Sequence, residues 1–454
     1  MELDPVLLAR TQFGFAISFH ILFPTLTIGL SGFILLLEAL WLRTGREAYL
    51  RLAKFWTRLF ALAFGMGVVS GVVLSYLLGA NFSRFSAATA NVLGPLLGYE
   101  VLTAFFLEAG FLGIMLFGWN RVGPRLHLFA TAMVAVGTLI SAFWILAANS
   151  WMQTPAGHTF DGARFYVADW WAVIFNPSFP YRLMHMSMAA YVTAAFVVAA
   201  VSAWHLLKGR DVESARLGLR FGIGLAAVLA PLQIFIGDLH GLNVQEHQPV
   251  KIAAMEGLWE TRGAAPLLLF AVPDQKAETN HFEIGVPKLA SIILKHDAEG
   301  VVKGLKEVPP QDRPFVFQVF WAFRIMVGIG LAMLALSWLG ALAWWRGWLE
   351  RSRLLLWTFV PMGGSGFLAV LAGWSVAETG RQPWIVYGLM RTADAVSPVA
   401  AGVVLSSLLA FVAVYAALFV AWLYYSAKVI RRGPDAGDTH EPGEQGQRPM
   451  AAGN

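Results

Sequence analysis

The segment Gly373-Trp-Ser-Val-Ala-Glu-Thr-Gly-Arg-Gln-Pro-Trp384 closes a long apolar run that begins near Leu354. Glu378 therefore lies where a membrane helix reaches the surface, because Pro383 prevents that helix from continuing. A carboxylate at this depth is costly unless a proton, a cation or a metal compensates its charge. Arg381, three residues later, offers a helix-end ion pair as the simplest interpretation. The rest of the chain indicates that Glu378 does more.

The composition is typical of a membrane protein. Of the 454 residues, 57% are hydrophobic and 13% are charged, which is too apolar for a soluble domain of this size. The chain has no Cys, so thiolate haem ligands and Cys-held iron–sulfur clusters are excluded, and a metal must use His, Met or carboxylate. The net charge of +5 indicates cytoplasmic anchoring charge rather than a nucleic-acid surface.

Nine apolar runs are long enough to span a membrane, which takes about 20 residues. They fall at about 13–41, 55–79, 94–118, 126–149, 182–207, 218–237, 317–345, 354–377 and 397–427. The sequence therefore predicts an all-α polytopic membrane protein with nine transmembrane helices. We see no internal repeat.

Basic residues collect at alternate ends of these runs. The connections after the first, third, fifth, seventh and ninth runs carry Arg43, Arg121, Lys208, Arg346 and Lys428, among others. The alternate short connections are poor in Lys and Arg. The positive-inside rule therefore puts the N-terminus outside and the C-terminus in the cytoplasm.

This topology divides the chain into four parts. Residues 1–237 hold helices 1 to 6, with an outer loop at 150–181, and residues 317–430 hold helices 7 to 9. A long periplasmic segment at 238–316 separates the two groups. Residues 431–454 are rich in Gly, Pro and acidic residues, and we expect a disordered cytoplasmic tail there.

Five candidate ligand side chains fall in the outer half of the membrane, each on a different helix. They are His20, Glu100, His185, Met326 and Glu378. Scattered polar residues would not be expected to choose one side so consistently. Each of them alone has a plainer interpretation, because single His and Met residues in helices more often serve packing. We prefer that packing interpretation for His127 and His205, toward the cytoplasmic side.

Glu100 and Glu108 are eight residues apart on the third helix. At about 100° per residue they lie within about 80° of each other and about 12 Å apart along the axis. Two carboxylates on one side of a membrane helix suggest a proton relay. Two separate hydrogen-bonded contacts between helices are the alternative.

The outer loop begins Gln245-Glu-His-Gln-Pro-Val-Lys-Ile-Ala-Ala-Met-Glu256, which predicts a short helix near the surface. Lys251 and Glu256 flank an apolar patch there. Such a segment could hold a quinol head group, with the carboxylate accepting its proton. On spacing alone, an amphipathic surface helix is the alternative.

Taken together, these motifs resemble subunit I of the cytochrome bd-type quinol oxidases over nearly all of residues 1–430. Four segments carry the resemblance in the family's order: Arg10-Thr-Gln-Phe-Gly-Phe-Ala-Ile-Ser-Phe-His20, Gln248-Pro-Val-Lys-Ile-Ala-Ala-Met-Glu256, Phe323-Arg-Ile-Met-Val-Gly328 and Gly380-Arg-Gln-Pro-Trp384. The loop between helices 6 and 7 is similar to the short-loop branch that includes the cyanide-insensitive oxidases. Its second half, 258–314, lacks the long insertion of the other branch.

The resemblance implies three haems, two of type b and one of type d. It makes His185 and Met326 the axial ligands of a low-spin haem b. It makes His20 and Glu378 the ligands of the high-spin haem b and haem d, and we favour His20 for haem d. A further haem b in place of haem d is the alternative that the sequence leaves open.

The resemblance also implies roles for residues around the haems. Arg324 and Arg381 are expected to bind haem propionates, and Trp374 is expected between haems. Lys251 and Glu256 match the quinol-oxidation site.

The implied function is that of a terminal quinol oxidase in the bacterial inner membrane. Quinol is oxidised at the outer face, and oxygen is reduced to water with cytoplasmic protons. Glu108 and Glu100, with Ser141, match the family's proton path, and proton motive force arises without pumping. The family implies a second large membrane subunit and allows a small single-helix subunit.

Two other protein classes fit the sequence less well. A secondary transporter that uses buried carboxylates predicts inverted repeats, which these nine runs do not display. A haem b electron carrier that does not handle oxygen is expected to hold its haems with paired His ligands. The His185 and Met326 pair and the Glu378 site argue against that class.

Overall fold

The computed structural model describes residues 4–434 of the chain. Within this part, nine helices are long and apolar enough to cross a membrane, which confirms the predicted all-α polytopic class. They run over Pro5–Thr44, Glu47–Asn81, Ser83–Phe117, Pro124–Gln153, Phe179–Leu207, Val212–His247, Val316–Trp345, Arg353–Thr379 and Ala401–Arg432. We call them helices 1 to 9 in this order. The tail expected at 431–454 lies outside the described residues from 435 onward.

The connections after helices 1, 3, 5 and 7 lie at one end of the bundle, together with the end of helix 9. We call this end, which carries the basic residues, the basic end. The opposite end, where His20, His185 and Glu378 lie, is called the ligand end.

Local signals, in addition to hydropathy, set where some of the helices begin and end. Asp4 caps helix 1 by accepting a hydrogen bond from the amide of Val6. Helix 6 continues to His247, past the boundary expected at 237, and ends just before Pro249, whose ring cannot continue it. The long outer segment is therefore shorter than the sequence predicted.

Helix 3 contains a π-helical turn at Val101–Phe105, between Glu100 and Glu108. The extra residue in this turn sets the following helix back by about 100°. Regular helix geometry puts Glu100 and Glu108 about 80° apart around the helix axis. With the π-helical turn they are about 20° apart, in the opposite sense. Both carboxylates consequently face helix 4, where Gly137 and Ser141 lie one turn apart.

Helix 8 is built in two pieces, Arg353–Met362 and Ser365–Thr379. Pro361 lacks an amide hydrogen and two glycines follow the first piece, so the helix is interrupted at this point. The second piece carries Glu378 to the ligand end.

Helices 1 and 5 are the most buried of the nine described helices, and small residues bring their neighbours close. A Cβ atom at Gly29 would lie 2.6 Å from the carbonyl oxygen of Ala190, and one at Gly222 would lie 2.6 Å from that of Ala195. Glycine and alanine at such contacts let membrane helices pack backbone to backbone. The two histidines expected as ligands, one on each of these helices, are thereby placed inside the bundle.

Short elements cover the ligand end. The helix Pro249–Glu256 is called the outer helix, and the antiparallel strands Leu267–Asp274 and Thr279–Val286 are called the outer hairpin. The remaining short elements are His158–Phe160, Phe165–Val167, Trp170–Ile174, Leu289–Lys295, Leu305–Glu307, Pro310–Asp312, Trp384–Val386, Met390–Arg391 and Thr392–Ala395. Each sheet formed by residues 4–434 has two strands, so these elements add no separate β-domain.

Candidate active site

Glu378 belongs to a polar network at the ligand end. Its Oε2 pairs with the guanidinium of Arg381, which is the ion pair expected from spacing. Its Oε1 accepts hydrogen bonds from Nδ2 of Asn149 and Nε2 of Gln153, both at 3.1 Å. The Glu378 side chain is 31% exposed, whereas that of Arg381 is 4% exposed. One side of the carboxylate therefore remains accessible while its cationic partner is buried.

Lys251 of the outer helix joins the same network. Its Nζ donates to Oε1 of Gln153 at 2.7 Å, and the amide of Gln153 bonds Glu378. Arg182 of helix 5 donates to Asn149. One side-chain amide thus separates a residue expected to bind quinol from a residue expected to ligate a haem iron.

The network carries more positive than negative charge. Lys251, Arg182 and Arg381 are all buried, and Glu378 is the carboxylate that they share. Within the described part of the chain, Nε of Arg182 and both Nε and Nη1 of Arg381 have no hydrogen-bond partner. Buried cationic groups require compensation. The cluster is therefore suited to an additional anion.

Lys251 and Arg381 of this network lie outside the spanning helices. Burial and the neighbouring charges shift the pKa of each. Burial, reinforced by the positive charge of Arg182, holds the pKa of Lys251 well below its usual range. Burial likewise lowers the pKa of Arg381, an effect that Glu378 opposes. An anion bound here would stabilise both charged forms.

His185 lies between helices 5 and 6. A Cβ atom at Gly237 would be 3.1 Å from Cε1 of its ring, and Nε2 of Gln233 is 3.3 Å from both ring nitrogens. The ring of His240 is 5.7 Å away. Because Gly237 has no side chain, helix 6 leaves space beside the imidazole of His185.

Met326 and His20 have similar surroundings. A Cβ atom at Gly373 would be 2.9 Å from Sδ of Met326, and one at Gly71 would be 3.2 Å from Cε1 of His20. Nδ1 of His20 is 2.9 Å from Oγ of Ser70, so Nε2 is the nitrogen available to a metal. Each expected His or Met ligand is therefore faced by a glycine of a neighbouring helix.

Trp374 of helix 8 lies close to site residues on both helix 5 and helix 7. The guanidinium of Arg182 lies 5.8 Å from the centre of its ring, and Gly373, next in the chain, faces Met326. Arg182 precedes His185 by one helical turn and shares its face. The structure thereby brings helices 5, 7 and 8 together around Trp374.

Arg324 is held by the outer segment. Its guanidinium donates to the carbonyl oxygen of Leu268, at 2.9 Å from Nε and 2.6 Å from Nη2, and to that of Met255. It also stacks on the ring of Phe320 at 3.5 Å. Among the buried arginines at the ligand end, the guanidinium nitrogens without a hydrogen-bond partner in the described chain thus lie on Arg182 and Arg381, rather than on Arg324.

The outer helix is buried, unlike the surface helix that its spacing predicts, and all residues from Lys251 to Glu256 are inaccessible. Oε2 of Glu256 lies 3.6 Å from Nη2 of Arg324 and has no hydrogen-bond partner among residues 4–434. Burial raises the pKa of Glu256, and Arg324 partly opposes this. Lys251 and Glu256 consequently face different partners at the two ends of one buried helix.

The three residues expected on the proton path meet at helix 4. Oγ of Ser141 donates to Oε1 of Glu100 at 2.7 Å. Glu108 is 7% exposed and packs so closely on Gly137 that a Cβ there would lie 2.5 Å from its Cγ. Both carboxylates therefore contact the same helix, and the proton relay stays a prediction.

Sequence reasoning missed Arg182, Asn149 and Gln153. The signal for Arg182 was its position one turn before His185 on the same face. Asn149 and Gln153 are spaced by four residues at the end of helix 4, which also puts them on one face. Sequence reasoning also missed the pairing of Glu38 with His127, because the sequence of one helix does not show which residue of another helix it contacts.

The whole chain is similar to known oxidase subunits. Residues 8–434 match the model of the family described as cytochrome bd terminal oxidase subunit I. The chain is 38% identical to cytochrome bd ubiquinol oxidase subunit 1 of Bacillus subtilis, over 97% of this chain and 96% of that protein. It is 32% identical to cytochrome bd-II ubiquinol oxidase subunit 1 of Escherichia coli, over 97% and 99% respectively.

The structure of bd oxidase from Geobacillus thermodenitrificans is also similar. The match has a TM-score of 0.88 at 31% sequence identity and covers 95% of this chain and 99% of that chain. Helix number and overall similarity therefore agree. This chain belongs to the cytochrome bd terminal oxidase subunit I family.

Proposed function

We propose that this chain is the haem-bearing subunit of a terminal quinol oxidase in the bacterial inner membrane, working with a second large subunit. The family also allows a small single-helix subunit. Two quinols are oxidised to quinone at the outer face for each oxygen reduced to two waters. The observation that carries the proposal is the link from Lys251 through Gln153 to Glu378, because it joins a residue expected to bind quinol to a residue expected to ligate a haem iron.

The residues present fit haem. Buried guanidinium nitrogens of Arg182 and Arg381 lack partners in the described chain and suit propionates. Glycines face His20, His185 and Met326, where a flat macrocycle needs space. Bound haems supply one-electron transfer and oxygen chemistry.

We assign the ligands as the family resemblance implies. His185 and Met326 hold a low-spin haem b, and a His–Met pair raises the reduction potential. Glu378 holds a high-spin haem b and His20 holds haem d, or a haem b in its place. Trp374 would lie between bound haems, and its ring is within cation–π distance of the Arg182 guanidinium.

Proton handling is assigned to opposite ends of the bundle. The positive-inside rule puts the basic end in the cytoplasm, so the outer helix faces the periplasm. Glu256 accepts a proton from quinol there, and its own carboxyl then releases it outside. Glu108 and Glu100 carry cytoplasmic protons toward the oxygen site. Because protons are released outside and taken up from the cytoplasm, the reaction generates proton motive force without a pump.

The test of this function is a reduced-minus-oxidised visible spectrum of the purified complex, with pyridine haemochrome quantitation and oxygen uptake driven by quinol. We expect low-spin and high-spin b signals together with a far-red chlorin band. Haem b signals without the far-red band would assign haem b to the oxygen site. A complex without haem would refute the proposal.

Glu256→Gln should slow quinol oxidation about a hundredfold, because the amide cannot accept the quinol proton. The wild-type rate should fall as pH drops through the pKa of Glu256, which burial raises above its ordinary value of 4.5. The variant should lose this pH dependence and keep its haem spectrum. Steady-state quinol oxidation across pH measures both effects, and loss of haem in the variant would instead assign Glu256 a structural role.

Gly373→Ala should disturb the Met326 side of the low-spin haem. The added Cβ would lie 2.9 Å from Sδ, so the sulfur, near the end of a flexible side chain, must move away from it. We expect a lower midpoint potential of the low-spin haem in a spectroelectrochemical titration, because the thioether bond is weakened. Gly328→Ala, where a Cβ meets nothing within 4 Å, is the matched control. Equal potentials in the two variants would contradict the Met326 assignment.

A further inference from the structure

A second buried acid–base pair lies near the basic end of the bundle. Nδ1 of His127 on helix 4 is 2.9 Å from Oε2 of Glu38 on helix 1, and the two side chains are 4% and 2% exposed. Thr131 donates to Oε1 of the same carboxylate at 2.8 Å. Nε2 of His127 is buried and has no hydrogen-bond partner in the described part of the chain. The pair therefore retains one unused proton-binding position.

Stability alone does not account for this pair. Removing two ionisable groups from water costs several kcal/mol, and a well-packed apolar pair often serves as well or better. Ionisable residues inside membrane proteins are commonly functional for the same reason. Glu38 and His127 thus require a role that apolar side chains could not fill.

Polar side chains continue from this pair along one face of helix 4. Thr131, Thr138 and Ser141 follow His127 at spacings of four, seven and three residues, which keeps them on one side of the helix. Oγ of Ser31 on helix 1 lies 3.3 Å from Oγ1 of Thr138. The stretch from His127 to Ser141 covers about 21 Å at 1.5 Å per residue, most of a hydrocarbon core of about 30 Å.

This polar face meets the expected proton path at its other end. Ser141 donates to Glu100 at 2.7 Å, and Glu108 packs on Gly137, next to Thr138 in the chain. The face therefore extends from the Glu38–His127 pair toward both carboxylates of helix 3.

The pair lies just beneath the surface of the basic end. The ring of Trp119, in the connection between helices 3 and 4, covers the imidazole of His127 with ring centres 3.9 Å apart. Nζ of Lys54 is 5.7 Å from the centre of the Trp119 ring. A small displacement of Trp119 would give water access to Nε2.

We propose that His127 and Glu38 take up protons at the basic end and pass them along helix 4 to Glu108 and Glu100. This inference rests on the proposed oxidase function and identifies where its proton path begins. His127 gains a proton at Nε2 and releases one from Nδ1 to the Glu38 carboxylate. Glu38 then passes that proton onward through the hydroxyl groups of helix 4. Thr131 and Thr138 are about 10 Å apart along the axis, so the proposal requires water between them to carry the proton.

The test uses the purified oxidase complex, fully reduced without oxygen and then mixed with oxygenated, weakly buffered solution containing a pH dye. Glu38→Gln and His127→Gln should slow proton uptake at least about tenfold, since each removes a group that exchanges protons. Glu38→Asp, which keeps a carboxyl group, should restore part of the rate. Haem content and anaerobic reduction by quinol should remain at wild-type levels in all three variants.

The matched control is Glu350→Gln, which breaks ion pairs with Arg216 and Arg220 at the same end but lies away from helix 4. It should leave proton uptake unchanged. A wild-type uptake rate in His127→Gln overturns the inference, whether or not Glu38→Gln assembles. Lower thermal stability with a wild-type uptake rate would assign the pair to anchoring helix 1 on helix 4 and also overturns it. A wild-type complex that takes up no protons on reducing oxygen refutes the proposed function instead.

Discussion

Replacing Glu378 by glutamine should release haem from the complex and lower its stability by about 3–5 kcal/mol, the cost of leaving a buried cation unpaired. The carboxylate pairs with Arg381 and accepts hydrogen bonds from Asn149 and Gln153. Its neutralisation leaves the buried cations Arg182, Arg381 and Lys251 without the carboxylate that they share. The amide would also be a poorer ligand for a haem iron.

Thermal unfolding of the detergent-solubilised complex, followed by intrinsic fluorescence, measures the loss of stability, and pyridine haemochrome analysis measures the loss of haem. Glu378→Asp keeps the charge within reach of Arg381 and should lose much less stability than Glu378→Gln. A Glu378→Gln complex with wild-type unfolding temperature and full haem content would show that this carboxylate neither balances the network nor holds a haem.

His185→Ala should remove the low-spin haem b while leaving the two high-spin haems. About one third of the haem should be lost, because one of the two axial ligands is deleted and methionine alone binds iron weakly. Quinol-driven turnover should fall with it, since the low-spin haem receives electrons first. The reduced-minus-oxidised spectrum of the purified variant, with haem quantitation, measures the loss.

His240 provides the matched control for this substitution. Its ring lies 5.7 Å from that of His185, and its Nε2 is buried without a hydrogen-bond partner in the described chain. It is therefore the nearby imidazole most able to compete as a ligand. His240→Ala should keep the low-spin signal. A low-spin signal that survives His185→Ala and disappears in His240→Ala would move the assignment to His240.

Much of the fold was predictable from the sequence because lipid limits which structures can span a membrane. Apolar runs of about 20 residues must form helices in lipid, where each backbone group needs an internal partner. The nine helices could therefore be counted from the sequence, and basic residues predicted their directions. The resemblance then selected His20, His185, Met326 and Glu378, and the structure places a glycine opposite each of the first three.

The lengths of the elements were less predictable than their number. Helix 6 runs to His247 because Pro249, rather than the end of the apolar run, stops it. The π-helical turn Val101–Phe105 carried no signal in composition, yet it turns Glu100 and Glu108 toward helix 4. Regular helix geometry predicted a wider angle between the two carboxylates.

By itself the sequence determined the number of helices, the end of the bundle at which the expected ligands lie and the residue types that could bind haem. Only the tertiary structure decided that Arg182 and Lys251 share one network with Glu378, and that Glu38 pairs with His127. The physical reason is that helices apolar on nearly every side have no polar face to reveal their orientation. Which faces meet is settled by close packing of small residues such as Gly29 and Gly222, and that packing brings distant polar side chains together.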